Sequence, residues 1–157
     1  MKCKHGIEQE WCSICSRRFG YELVENVYKG NPVIEILKDG EPIHRYDPHF
    51  RFGCGRARLI VSCLEVIREF AENTDDVGNT TVTPCTIYSH WIKKDIEISI
   101  EPHPDFEHSS GMVIHKPWLK LKELPLGHPH ISFGVRKAHA LWVLREEIEA
   151  WVRKRCK

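Results

Sequence analysis

The sequence predicts an α+β protein: an N-terminal zinc loop followed by a tandem duplicated ββββα unit, with antiparallel sheets packed on two helices. Three observations predict it. Cysteine and histidine crowd into the first 15 residues, a Phe-Gly-x-x-basic-Ala motif recurs at an offset of 81, and several short alternating apolar segments precede each copy. The divisions are 1–20 for the zinc loop, 21–73 for the first repeat, 74–84 for the linker and 85–157 for the second repeat. Either repeat alone is too small to be very stable, so both are expected to share one core.

The loop carries Cys3-x-His5 and, six residues later, Cys12-x-x-Cys15. Three thiolates and an imidazole make a closed tetrahedral set for Zn²⁺, a structural rather than a catalytic site. Only Ile7, Trp11, Ile14 and Phe19 are large apolar groups here, so metal binding has to order the segment. A redox Cys-x-x-Cys normally follows a strand and opens a helix, a setting this segment lacks.

The first repeat reads as strands at 23–28, 33–38, 43–46 and 49–52. Asn31-Pro32, Asp39-Gly40 and Asp47-Pro48 supply turns. A helix starts just after Phe52-Gly53. Its apolar positions Ile60, Cys63, Ile67 and Phe70 lie on one stripe, and Asn73 is placed to cap its end. Residues 73–84, rich in Thr, Asp and Asn, read as linker. Asn79-Thr80-Thr81 fits a glycosylation sequon but reads as part of it.

The second repeat reads as strands at 86–92, 96–101, 113–122 and 130–133. Ile96/Ile98/Ile100 and Leu119/Leu121 mark buried faces by their period of two. Phe133-Gly134 then opens the second helix, where Leu141, Leu144, Ile148 and Trp151 fall 81 residues after Ile60, Cys63, Ile67 and Phe70.

Composition narrows the function classes. The chain has 157 residues, 41% hydrophobic and 29% charged, which suits a folded core. No apolar run approaches a membrane span, and the N-terminus has no apolar signal region. With seven Cys, an odd number, this leads to the expectation of a cytoplasmic, reducing setting with a metal site in place of a disulfide framework. Lys and Arg number 23 against 22 Asp and Glu, yet the charge is uneven. Residues 74–112 hold two basic against seven acidic side chains, and residues 113–157 hold ten against four. Such asymmetry suits a polyanionic partner, and equally a solvated basic helix face.

Two ββββα units in tandem resemble the architecture of the Whirly and PUR-type single-stranded nucleic-acid-binding proteins. The likeness covers residues 21–155 and rests on element order and duplication; the N-terminal loop is similar to a zinc knuckle. The resemblance implies single-stranded DNA or RNA held on a basic, aromatic sheet surface, with Arg45, Arg51, Trp91, Trp118, Lys120 and Lys122 as the outward positions. Aromatic faces stack on bases and cations hold phosphates. The alternation also turns Glu35, Glu97 and Glu101 outward, which opposes phosphate.

Other readings stand beside this one. A zinc-stabilised protein-interaction or regulatory module would use the exposed aromatics as a homodimer or partner contact. Among enzyme motifs, no Gly-x-Ser-x-Gly, His-Glu-x-x-His, P-loop or Gly-x-Gly-x-x-Gly occurs, so the chain reads as a non-enzyme. His103, Asp105, Glu107 and His108, with His115 beyond, could form a second metal site but read as a solvated hairpin loop. Cys54 beside Arg56 at a helix start reads as a small core residue, or less readily as a nucleophile without a base.

Overall fold

A computed structural model of the chain describes residues 20–43, 50–74, 79–102, 106–107, 113–114 and 117–156. The chain is α+β, with two antiparallel sheets, a short two-stranded ribbon and four helices among these residues. The zinc loop lies outside them.

Sheet 1 begins with a hairpin of β1 (Tyr21–Tyr28) and β2 (Asn31–Lys38), in register from Tyr21 opposite Lys38 to Tyr28 opposite Asn31. Its turn is Lys29-Gly30, with φ of 52° and 81°. Two left-handed residues match the twist of the flanking strands. The turn expected at Asn31-Pro32 therefore falls inside β2. Asp39-Gly40 forms a second such turn, with φ of 53° and 79°, and leads into β3 (Glu41–Pro42). β3 and β4 (Arg51–Gly53) both pair with the same edge of β2, at Leu37–Lys38 and at Val33–Glu35 respectively. Between these pairings, Ile36 N–H donates to Phe50 O at 3.0 Å. The third expected strand thus pairs at 41–42 instead of starting at 43, and the rest of it lies outside the described residues.

Each expected long helix is divided in two. α1 (Cys54–Ser62) and α2 (Leu64–Glu72) meet at Cys63, and α3 (Val135–Val143) and α4 (Arg145–Arg155) meet at Leu144. Ser62 Oγ donates to Arg58 O at 2.6 Å, a back-bond that bends helices, and Cys63 N–H bonds Ile60 O, three residues back. The apolar stripe runs through both breaks and leaves Cys63 and Leu144 buried. Asn73 ends α2, as expected.

Sheet 2 orders its strands β10-β9-β6-β5: β5 (Cys85–Ser89), β6 (Lys94–Pro102), β9 (Pro117–Glu123) and β10 (His130–Phe133). The ribbon of β7 (Phe106–Glu107) and β8 (Val113–Ile114) intervenes between β6 and β9. β5 stops at Ser89 instead of running to 92. The Ser89 hydroxyl accepts from Trp91 and Ile92 N–H at 3.2 and 3.3 Å, and Lys93 N–H donates to Ser89 O at 2.8 Å. The strand expected at 113–122 is likewise split into β8 and β9.

The buried faces of both sheets join one core. Ile34, Ile36 and Phe52 of sheet 1 and Ile96, Ile98, Leu119, Leu121 and Phe133 of sheet 2 cluster with the helix stripes. Burying each such side chain stabilises the fold by about 1.5–3 kcal/mol before entropy is counted. The halves interlock: α1 contacts β9 and β10, α2 packs on α3, and α1 packs on α4. Tyr21 Oη and His139 Nδ1 share a hydrogen bond of 2.9 Å between β1 and α3. Cys54 and Cys156 form a disulfide, Cα–Cα 5.4 Å, tying the start of α1 to the end of α4. That bond takes Cys54 out of the thiol roles read from the sequence. Among the described residues, no helix is long and apolar enough to cross a membrane.

Candidate nucleic-acid interface

The six expected contact residues separate into different places. Strand alternation brings three of them together. Leu119 and Leu121 are fully buried, which turns Trp118, Lys120 and Lys122 to the outer face of sheet 2. Ser132 and His130, paired with Lys120 and Lys122, share that face from β10, and Asp95, Glu97, Ser99 and Glu101 share it from β6. The Trp118 indole lies against the entry to α3, where a β-carbon on Gly134 would sit 3.7 Å from it.

The outward carboxylates are there too, and they are engaged. Lys122 faces Glu97 directly across the ladder and reaches it at 3.2 Å; Lys120 reaches diagonally to Glu101, also at 3.2 Å. All four side chains keep between a quarter and a half of their exposure. Ion pairs of this kind contribute about 0–1 kcal/mol, so a phosphate can replace either carboxylate at little cost. The two lysines are matched one to one by Glu97 and Glu101, and Asp95 on the same side of β6 adds a further carboxylate, so the cations are available by exchange.

Arg51 lies elsewhere, on the outer face of sheet 1 opposite Glu35, its guanidinium 4.5 Å from the centre of the exposed Tyr28 ring. Arg45 lies outside the described residues, as do the metal ligands Cys3, His5, Cys12 and Cys15 and the histidines at 103, 108 and 115. Among the described residues, no group of three or more His, Cys, Asp or Glu is placed to hold a metal ion.

Trp91 turns to the opposite side of sheet 2. Because Ser89 closes the turn before it, Trp91 packs against the core and lines an open groove of about 370 Å³. Alternation along β6 turns Lys94 to the side of Ile96 and Ile98, into the same groove. Arg58 reaches it from α1 and Arg153 from α4, with the Arg153 guanidinium 5.3 Å from the Trp91 ring centre. Glu123 is the carboxylate in its lining and pairs with Lys94 at 3.1 Å. Sequence reasoning missed Arg58, Lys94 and Arg153 as a set. The only signal was the general excess of basic residues near the C-terminus.

The remaining cysteines differ in setting. Cys63 is buried, and burial foremost, then the neighbouring Cys85 charge, pushes its thiol up to about 12. Cys85 is exposed.

No family model matches the chain, and neither the curated proteins nor the solved structures yield a match.

Proposed function

We propose that this protein binds single-stranded DNA or RNA on the outer face of sheet 2. The observation that supports it is the grouping of Trp118, Lys120 and Lys122 on one face, with the core behind them. Trp118 offers an aromatic surface for a base, and the two lysines exchange their carboxylate partners for phosphates. Cys3, His5, Cys12 and Cys15 hold a structural Zn²⁺, which orders the basic N-terminal segment as a second contact. Tandem duplication of one unit accounts for the helix pairs starting 81 residues apart, at Cys54 and Val135 and again at Leu64 and Arg145. Their caps agree with it: Gly53 has φ −95° and ψ −167°, and Gly134 has φ −85° and ψ −174°.

The test is fluorescence anisotropy with labelled single-stranded DNA, single-stranded RNA and duplex DNA at about 50 and 200 mM salt. Two lysines exchanging onto a single strand give a log–log salt slope of about −1.4, so affinity falls roughly sevenfold over that range. Lys120→Ala with Lys122→Ala removes that contribution to the slope. No binding to any of the three at the lower salt overturns the reading.

A second reading, a protein-interaction module or homodimer, is favoured by the apolar side chains Val27, Tyr28, Tyr88 and Leu126, all well exposed. Sedimentation that shows a dimer unaffected by salt, with no nucleic-acid binding, selects it.

A further inference from the structure

The outer face of sheet 2 is not uniform from edge to edge. Its carboxylates, Asp95, Glu97 and Glu101, stand on β6, and its lysines stand on β9. Beyond β6 lies the edge strand β5 with Thr86 and Tyr88, and beyond β9 lies the other edge strand, β10, with His130 and Ser132. Resting on the sheet-face reading, we infer that a bound single strand leaves β9 across the β10 edge, stacks a base on His130 and seats a phosphate on Arg56 of α1.

Electrostatics sets the direction. A strand turning from β9 toward β5 has to cross the carboxylates of β6, whereas β10 carries no acidic residue. Phosphates are repelled by the first route and not by the second.

Arg56 stands where the second route ends. It lies in the first turn of α1, is exposed, and its Nε–H donates to His130 O at 3.0 Å. Glu123 N–H bonds Pro129 O at 3.1 Å, so the next pair, His130 and Lys122, is a non-hydrogen-bonded one. Its side chains therefore stand close together, and the His130 carbonyl points off the open edge, where Arg56 meets it. The Nε bond leaves both Nη groups of the guanidinium for a bidentate phosphate contact. Among the described residues Arg56 has this backbone oxygen as its partner and no carboxylate to displace, in contrast to Lys120 and Lys122. The His130 ring lies 5.3 Å from the ring of His128, centre to centre, and offers an aromatic surface beside the Lys122 phosphate position.

The corner is also preorganised. A β-carbon on Gly55 would lie 3.1 Å from the Pro129 ring, so the start of α1 packs closely on the turn that enters β10. Arg56 is thereby held against His130 before any ligand arrives, which lowers the cost of ordering it on binding.

The experiment is fluorescence anisotropy of the full chain with a labelled oligothymidylate of about 20 nucleotides, longer than the usual footprint. It is run over a series of salt concentrations at about pH 8, where histidine is ordinarily neutral. A third cation takes the log–log salt slope from about −1.4 to about −2.1. Arg56→Gln, neutral yet still able to donate to His130 O, lowers the slope by about 0.7 and weakens binding at least about threefold at low salt. Arg56→Lys keeps the slope. His130→Ala weakens binding at least about fivefold with the slope nearly unchanged, and His130→Phe retains the affinity. Tyr88→Ala, on the β5 side, has no effect. Thermal melts establish that each variant is folded. If Lys120→Ala with Lys122→Ala weakens binding while folded Arg56→Gln and His130→Ala bind as the parent does, the β10 route is overturned and the sheet face stands. Lower affinity in Arg56→Gln without a change of slope also overturns the phosphate contact, since Arg56 then acts only by holding the edge. A loss in Tyr88→Ala as large as that in His130→Ala overturns the direction. No binding by the parent chain at low salt removes the face and the route together.

Discussion

The outer face of sheet 2 and the Trp91 groove both draw on β6 and β9 and hold similar numbers of cations, yet they differ in shape. On the face, Lys120 and Lys122 meet Glu101 and Glu97, one carboxylate each. In the groove, Lys94 meets Glu123 and Arg153 meets Glu149 on its own helix. The chain as a whole carries 23 basic and 22 acidic residues, so bulk charge says nothing about either surface. Local pairing decides. Paired cations attract anions by exchange and only weakly from a distance. Burial sharpens the contrast, because the groove is concave and backed by the core, while the face is open to screening by salt.

The largest test of this comparison removes what both surfaces stand on. Phe133→Ala in sheet 2 costs about 3–5 kcal/mol by leaving a cavity in the shared core. Phe52→Ala, its counterpart before α1, costs a similar amount. Urea unfolding checks both, and because the core is shared, each variant unfolds in one transition with both surfaces lost together. Two separate transitions would show that the halves stand alone.

Next in size is the Cys54–Cys156 bond, which closes a span of 102 residues. Cys54→Ser with Cys156→Ser lowers stability by about 2–4 kcal/mol, read from the same urea curves. The bond borders the groove and not the face, so the double variant leaves single-strand binding at Trp118 nearly unchanged. A loss of single-strand binding in the folded double variant would erase the distinction drawn between them.

Smaller still is the exchange of partners on the face. Glu97→Gln with Glu101→Gln removes the competing carboxylates, costs less than about 1 kcal/mol in stability and tightens single-strand binding several-fold. The salt slope steepens at the same time. Glu123→Gln, in the groove, has no effect on that slope.

The last effect is confined to alkaline solution and is absent near neutrality: a pH dependence at Cys63. Its folded-state thiol is raised to about 12, while in the unfolded chain it titrates near 9. The folded state therefore holds its proton when the unfolded state has lost it. The stability this contributes is whole below pH 9 and declines as pH rises toward 12. Cys63→Ala flattens the decline. Maleimide labelling gives a companion check, with Cys85 reacting in the folded chain and Cys63 only on unfolding.

What could be read in advance follows from how far each determinant reaches along the chain. The alternation Leu119/Leu121 was enough to place Trp118, Lys120 and Lys122 together, because successive side chains on a strand must point to opposite faces. Trp91 was misplaced because the strand before it was read as running to 92. The hydroxyl of Ser89 captures the next backbone donors and ends the strand early, a competition that β propensity does not register. The helix breaks at Cys63 and Leu144 were equally hidden, since the apolar stripe passes through both without interruption.

Legible from residue order alone were the class of fold, the Asp39-Gly40 turn, the helix starts after Phe52-Gly53 and Phe133-Gly134, and the buried faces marked by Ile96/Ile98 and Leu119/Leu121. These depend on backbone sterics and on side-chain period, which act within a few residues. Only the tertiary structure decided which carboxylate meets which lysine. That depends on the register of β6 against β9, strands separated by an intervening ribbon. It likewise decided that Cys54 finds Cys156 and that Arg58, Trp91, Lys94 and Arg153 share one groove. Those meetings join residues as many as 102 positions apart, and they are set by how both sheets and all four helices pack into one core rather than by any local preference.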